Sequence, residues 1–182
     1  MKTLIESIIP DVNSSFRLIH NQRLCDLFYL NFHPDYVLEY IEGANGTRHV
    51  GSHTKKYHGN DLVLIGSNIQ HLNFDYGVKT DYEKVVLHVQ PSFLNKVFKE
   101  IPELSAIYDL FKRSMHVIAF TSNTKNTIGK KLKELPGMDP FQLFLEVMDI
   151  FQILSISDEY TLLHETPVIN KTKKKDRQRL GR

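Results

Sequence analysis

The chain has one cysteine, Cys25, so no intrachain disulfide can form; stability must come from packing, and a reducing, cytoplasmic compartment is the natural setting. It has no tryptophan, and Phe and Tyr supply the aromatic material for a core instead. No apolar run approaches the ~18 residues of a membrane-spanning helix. The opening "MKTLIESIIPDVNSS" is broken by Glu6 and Pro10 and has no small-residue cleavage site, so it does not read as a secretory signal. The Asn-x-Ser/Thr matches at Asn13, Asn45 and Asn170 are then chance. Glycine-rich phosphate loops, Gly-x-Ser-x-Gly and Cys-x-x-Cys are all missing, which leaves nucleotide, serine-hydrolase and dithiol chemistry unsupported. No catalytic residue and no cofactor is assigned.

What is present suits one globular unit: 182 residues, 41% of them hydrophobic, are enough for one good core. The net charge of +2 hides an asymmetry. Residues 167–182 hold seven Lys/Arg against one Asp, leaving 16 basic and 20 acidic residues in a mildly acidic body. Such a body is a poor nucleic-acid surface, whereas "NKTKKKDRQRLGR" resembles a basic linker or a solvated terminus.

Two hydrophobic periods divide the chain. From about 14 to 90, short apolar runs ("FRLIH", "CDLFYLNF", "YVLEYIE", "TRHVGSH", "DLVLIG", "QHLNFDY", "YEKVVLHV") alternate with turn chemistry at Pro34-Asp35, Gly43-Ala44-Asn45-Gly46, Gly59-Asn60-Asp61 and Gly66-Ser67-Asn68. Seven or eight strands at this spacing suit a jelly-roll barrel. After Pro91 the period becomes helical, giving an α+β chain: a barrel over 1–90, a helical segment over 91–165 and a basic linker over 166–182. The helix expected over about 138–156 carries a narrow polar stripe (Asp139, Gln142, Glu146, Asp149, Gln152) and is apolar elsewhere, so one face can cover the barrel and another a second copy. Phe144, Val147, Phe151 and Leu154 are the candidate contacts of a homodimer.

His33, His49, His53, His58, His71 and His88 fall in the β half, where barrel strands can bring distant residues together as metal ligands. "FHPDYVLEYIEGANGTRHVGSH" followed by "HGNDLVLIGSNIQH" closely resembles the cupin domain that begins many AraC-type transcription regulators of the bacterial kind, and the match continues through "VVLHVQPSFL". The resemblance implies a sensing and dimerising module, with two helix-turn-helix motifs C-terminal to it that would contact DNA and that this sequence does not contain. The four positions that hold a metal in metal-binding cupins fall here on Asn31, His33, Val37 and His71. Two of the four are not ligands, so the resemblance implies a metal-free cavity for a small polar effector; sugars and related metabolites are typical of the wider family. Strand parity from His33 points Asn31 and Tyr29 inward, parity from His71 points Asn73 inward, and Glu39 shares the side of Val37. Tyr29, Asn31, His33, Glu39, His71 and Asn73 are thus the candidate ligand-binding residues. A metal-dependent cupin enzyme and a stand-alone dimerisation module with a filled barrel are the alternatives.

Overall fold

The computed structural model describes residues 3–5, 8–28, 30–94 and 96–169; Tyr29 and the run 170–182, which holds Asn170 and nearly all of the basic segment, lie outside the described residues. In chain order the described elements are β1 (Thr3–Ile5), β2 (Phe16–His20), β3 (Leu30–Phe32), β4 (Tyr36–Val50), β5 (His53–Ile65), β6 (His71–Leu72), β7 (Glu83–Val89), α1 (Lys96–Glu100), α2 (Ser105–Arg113), β8 (Ile118–Phe120), α3 (Ser122–Glu134), α4 (Pro140–Ile156) and β9 (Tyr160–Leu162). None of the described helices is long and apolar enough to cross a membrane.

The strands form one mixed sheet organised around β4. The first half of β4 pairs antiparallel with β5 on one side and β7 on the other, and its last residue, Val50, pairs with His71 of β6. β3 and then β1 continue beyond β6, β8 and β9 continue beyond β5, and β2 lies along the outer side of β7. This is the α+β class expected, but among the described residues the pairing path does not return on itself, so closure into a jelly-roll barrel is not shown.

Two expected turns are in fact the middle of a long ribbon. Gly43-Ala44-Asn45-Gly46 and Gly59-Asn60-Asp61 lie inside β4 and β5 and pair with each other, Ala44 opposite Gly59 and Asn45 opposite His58, with a register shift between Glu42 and Ala44. Gly43 at φ +82 and Gly59 at φ +78 supply the left-handed backbone that such a bulge needs, so these glycines bend the ribbon instead of ending it. The ribbon reverses at Gly51-Ser52. Inside it, one guanidinium nitrogen of Arg48, Nη1, donates to both carboxylate oxygens of Asp61 at 2.7 and 2.8 Å, a buried ion pair.

Alternation along the central strands separates two cores. Leu38, Tyr40, Leu62, Leu64, Val85 and Leu87 face the helices and pack with Ile107, Leu110, Phe111, Ile128, Leu132, Val147, Ile150, Phe151 and Leu154. Val37, Ile41, Val63, Ile65, Phe74 and Val86 form the second cluster, on the face away from the helices. The 91–165 segment is not a separate layer: β8 pairs with β5 and β9 with β8, so it extends the sheet while its helices cover it.

α4 begins at a capped first turn. Asp139 caps it, its carboxylate accepting from the backbone N–H groups of Phe141 and Gln142, with Pro140 in the first turn. The assignment of Val147, Phe151 and Leu154 to a partner contact is corrected by their burial, since all three are fully enclosed in the chain's own core. Phe144 is 37% exposed and, with exposed Phe141 and Leu145, makes a second apolar stripe at helical spacing.

Candidate functional site

Between the β3–β6 edge and the face of β2, β4 and β7 that points away from the helices lies a cavity of about 390 Å³. Strand register decides what enters it. On β7, Lys84, Val86 and His88 face the cavity while Val85, Leu87 and Val89 face the helices. β4 lies in register with β7, placing Glu39 beside Val86 and Val37 beside His88. On the opposite wall Asn31 of β3 pairs with His71 of β6, Asn73 follows one residue after β6, and His33 stands just past β3. Ile8, Ile19, Gln22, Leu24 and Leu27 complete the lining.

Five of the six sequence-selected residues, Asn31, His33, Glu39, His71 and Asn73, therefore line one cavity, and the sixth, Tyr29, lies outside the described residues. His49 and His53 do not join them. His49 bonds Thr54 at the ribbon end, and the His53 ring stands 6.2 Å from that of His164.

Lys84 and His88 were not among the selected residues. "EKVVLHV" reads as a run buried on both faces, and the only sign of two different environments is that its polar members, Lys84 and His88, share parity. Lys84 is not a free cation in the cavity. Its ammonium donates to Asp75 at 2.7 Å, and the same carboxylate accepts from the Tyr82 hydroxyl at 2.6 Å and the Leu24 backbone N–H at 2.7 Å. Burial opposes ionisation of Asp75, but hydrogen bonds from Lys84 and Tyr82 outweigh it and hold the carboxyl below its usual range. Asn73 belongs to the same network, donating to the Leu24 carbonyl at 3.0 Å and to Asp75 at 3.3 Å.

The imidazoles form a cluster of their own. The His33 ring centroid lies 5.3 Å from that of His71 and 5.1 Å from that of His88. Burial, then the neighbouring His71, lowers the pKa of His33 to about 4; burial, then His33 and His71, lowers that of His88 to about 3. Burial lowers that of His71 as well. His71 Nδ1 is 2.9 Å from the Ile69 carbonyl, which makes Nδ1 the donor in the neutral ring and leaves Nε2 as the lone-pair nitrogen. Glu39 is fully enclosed, and burial, opposed by Lys84 and reinforced by Asp75, pushes its pKa up to about 7. The lining at neutral pH is thus one of uncharged imidazoles, amides, a carboxyl near its midpoint and an ammonium already paired. Among the described residues it contains no Ser, Thr or Cys nucleophile.

No family model matches this chain, and no curated protein does. Among solved structures it is similar to ToxT from Vibrio cholerae, with a TM-score of 0.49 and 13% identity over 88% of this chain and 61% of that one. At that score and identity the likeness says nothing about what this chain binds.

Proposed function

We propose that this chain is the effector-sensing domain of an AraC-type transcription regulator and binds a small, polar, predominantly uncharged molecule between β3–β6 and β2–β4–β7. The observation that carries the reading is the convergence of Asn31, His33, Glu39, His71 and Asn73 on one cavity of about 390 Å³, a volume in the range of small-molecule sites. The family assignment rests on the sequence resemblance over residues 32–71. A binding role is favoured over an enzymatic one because the described lining offers directional hydrogen bonding and holds no Ser or Thr hydroxyl or Cys thiol to act as a nucleophile. A second copy of the chain is the proposed partner of the exposed Phe141, Phe144 and Leu145 stripe on α4. DNA contact would belong to a separate helix-turn-helix domain, joined through the basic C-terminal segment.

The experiment is a thermal-shift screen of the chain against sugars and related polar metabolites, followed by calorimetric titration of hits against wild type and Val86→Phe. Val86 lines the cavity, so a phenyl ring there occupies ligand volume. Hits should lose affinity at least tenfold in Val86→Phe. Hits whose binding is unchanged by Val86→Phe would place the site elsewhere and overturn the reading.

A further inference from the structure

We propose that His33, Asp35 and His88 form a site for a divalent transition metal ion in the wall of the cavity. Each offers one ligand atom, and the three atoms lie within 4.8 Å of one another. Ligands ~2.1 Å from a tetrahedral ion stand about 3.4 Å apart, so a small rotation of the side chains closes the set. The residues come from two neighbouring places in the fold. His33 and Asp35 flank Pro34 in the short link from β3 to β4, and His88 sits on β7 opposite Val37, two residues along from Asp35. Strand pairing on both sides thus holds the three together before any ion arrives.

A second observation points to a ligand. The three residues are 2%, 4% and 7% exposed, and each has a buried polar atom without a hydrogen-bond partner: Nδ1 of His33, Oδ2 of Asp35 and Nδ1 of His88. Buried polar groups in native proteins are nearly always satisfied, and three neighbouring residues that each carry an unsatisfied one ask for a common partner. Oδ2 of Asp35 accepts no hydrogen bond from either imidazole. A metal ion would give all three residues one partner.

The donor set selects the ion. Two imidazoles and one carboxylate suit Zn²⁺, Fe²⁺, Co²⁺ or Ni²⁺, whereas Mg²⁺ and Ca²⁺ prefer oxygen ligands throughout. His33 and His88 also line the cavity, so coordination positions beyond these three can face a bound molecule. Of the four positions by which metal-binding cupins are recognised, this site uses His33 alone. Val37, at the carboxylate position, is apolar, and its cross-strand neighbour His88 brings a ligand to the same neighbourhood. The inference stands independently of the effector reading, because it concerns metal affinity and not what else the cavity takes.

The test uses the tag-free full chain, stripped with chelator and dialysed, then titrated with Zn²⁺ and with Co²⁺. Expected are one ion per chain with micromolar or tighter affinity, and a Co²⁺ visible spectrum distinct from the aqua ion. His88→Leu and Asp35→Asn should each weaken binding by about 100-fold or more, while His53→Ala, remote from the cluster, should leave it unchanged. Should His88→Leu fail to fold, Asp35→Asn, which keeps shape and volume, and the wild-type Co²⁺ form still decide the matter. In the latter, paramagnetically shifted, solvent-exchangeable imidazole N–H resonances should number two. A chain that takes up no stoichiometric Zn²⁺ or Co²⁺, or one whose affinity is unchanged by Asp35→Asn and by His88→Leu, overturns the proposal.

Discussion

Glu39→Gln isolates one buried charge. Glu39 is enclosed in the cavity wall, and its carboxyl keeps its proton up to about pH 7 against an ordinary 4.5. The folded state therefore binds more protons than the unfolded chain between these values, and the contribution of Glu39 to stability falls as pH rises through that window. Above it, both states are ionised and the cost levels off at about 3 kcal/mol. Glutamine has nearly the shape of the protonated acid, keeps an oxygen to accept from the Phe74 N–H that lies 3.4 Å from Glu39 Oε1, and cannot ionise. Urea unfolding of both proteins at half-unit intervals from pH 4 to 8.5 measures the difference directly, and every group common to the two cancels. The variant should match wild type near pH 4 and exceed it by about 3 kcal/mol above pH 7.5. A difference that does not change with pH would refute the reasoning, because it would mean that burial does not disfavour the Glu39 carboxylate.

Asp75→Asn should destabilise the chain by about 3–5 kcal/mol, because it leaves the Lys84 ammonium buried without its counter-charge; chemical unfolding at pH 7 reads this, and a loss under about 1 kcal/mol would show that the pair is not enclosed. Gly129→Ala sets two effects against each other: alanine favours an α-helix by about 1 kcal/mol, but a Cβ at Gly129 would collide with the buried Tyr40 ring, so a net loss of about 1–3 kcal/mol is expected and a stabilised variant would sink the packing argument. On α4, Phe144→Asp and Leu145→Asp should shift a wild-type dimer towards monomer in sedimentation equilibrium without lowering the melting temperature by more than a few degrees, whereas Val147→Asp should unfold the chain. A wild type that is monomeric at ~tens of micromolar would remove the dimer.

The class of the fold was legible because its two periods are clean. Apolar runs spaced by turn residues marked β2, most of β4 and β5, and β7, and the boundaries of α4 were legible to within two residues. The errors have a common cause in glycine, which signals left-handed backbone without saying whether the chain reverses or only kinks. Gly43 and Gly59 kink the β4–β5 ribbon, and Gly51, in a less conspicuous run, turns it. β8 and β9 escaped because three-residue strands carry no period; they exist through the edge that β5 offers, a long-range cause that local pattern cannot hold.

The site divides along a similar line. Asn31, His33, Glu39, His71 and Asn73 could be chosen from the sequence because the resemblance to metal-binding cupins singles out Asn31, His33, Val37 and His71, and strand parity carries from these to Asn73 and Glu39. Which face of α4 stays uncovered could not. An amphipathic pattern states that a face is apolar, but not whether the chain's own helices cover it, and α2 covers the face that holds Val147, Phe151 and Leu154. His88 and Asp35 pose the harder case. Neither stands at a position where a cupin keeps a metal ligand, and reading those positions one by one returns two vacant ones at Asn31 and Val37. Cross-strand register changes the question from which residue occupies a position to which donors reach a point in space, and Val37 opposite His88 shows how a donor absent from one strand can be supplied by the next. Whether a cavity of this type holds a metal is thus a property of paired strands, and a motif written along one strand is blind to it.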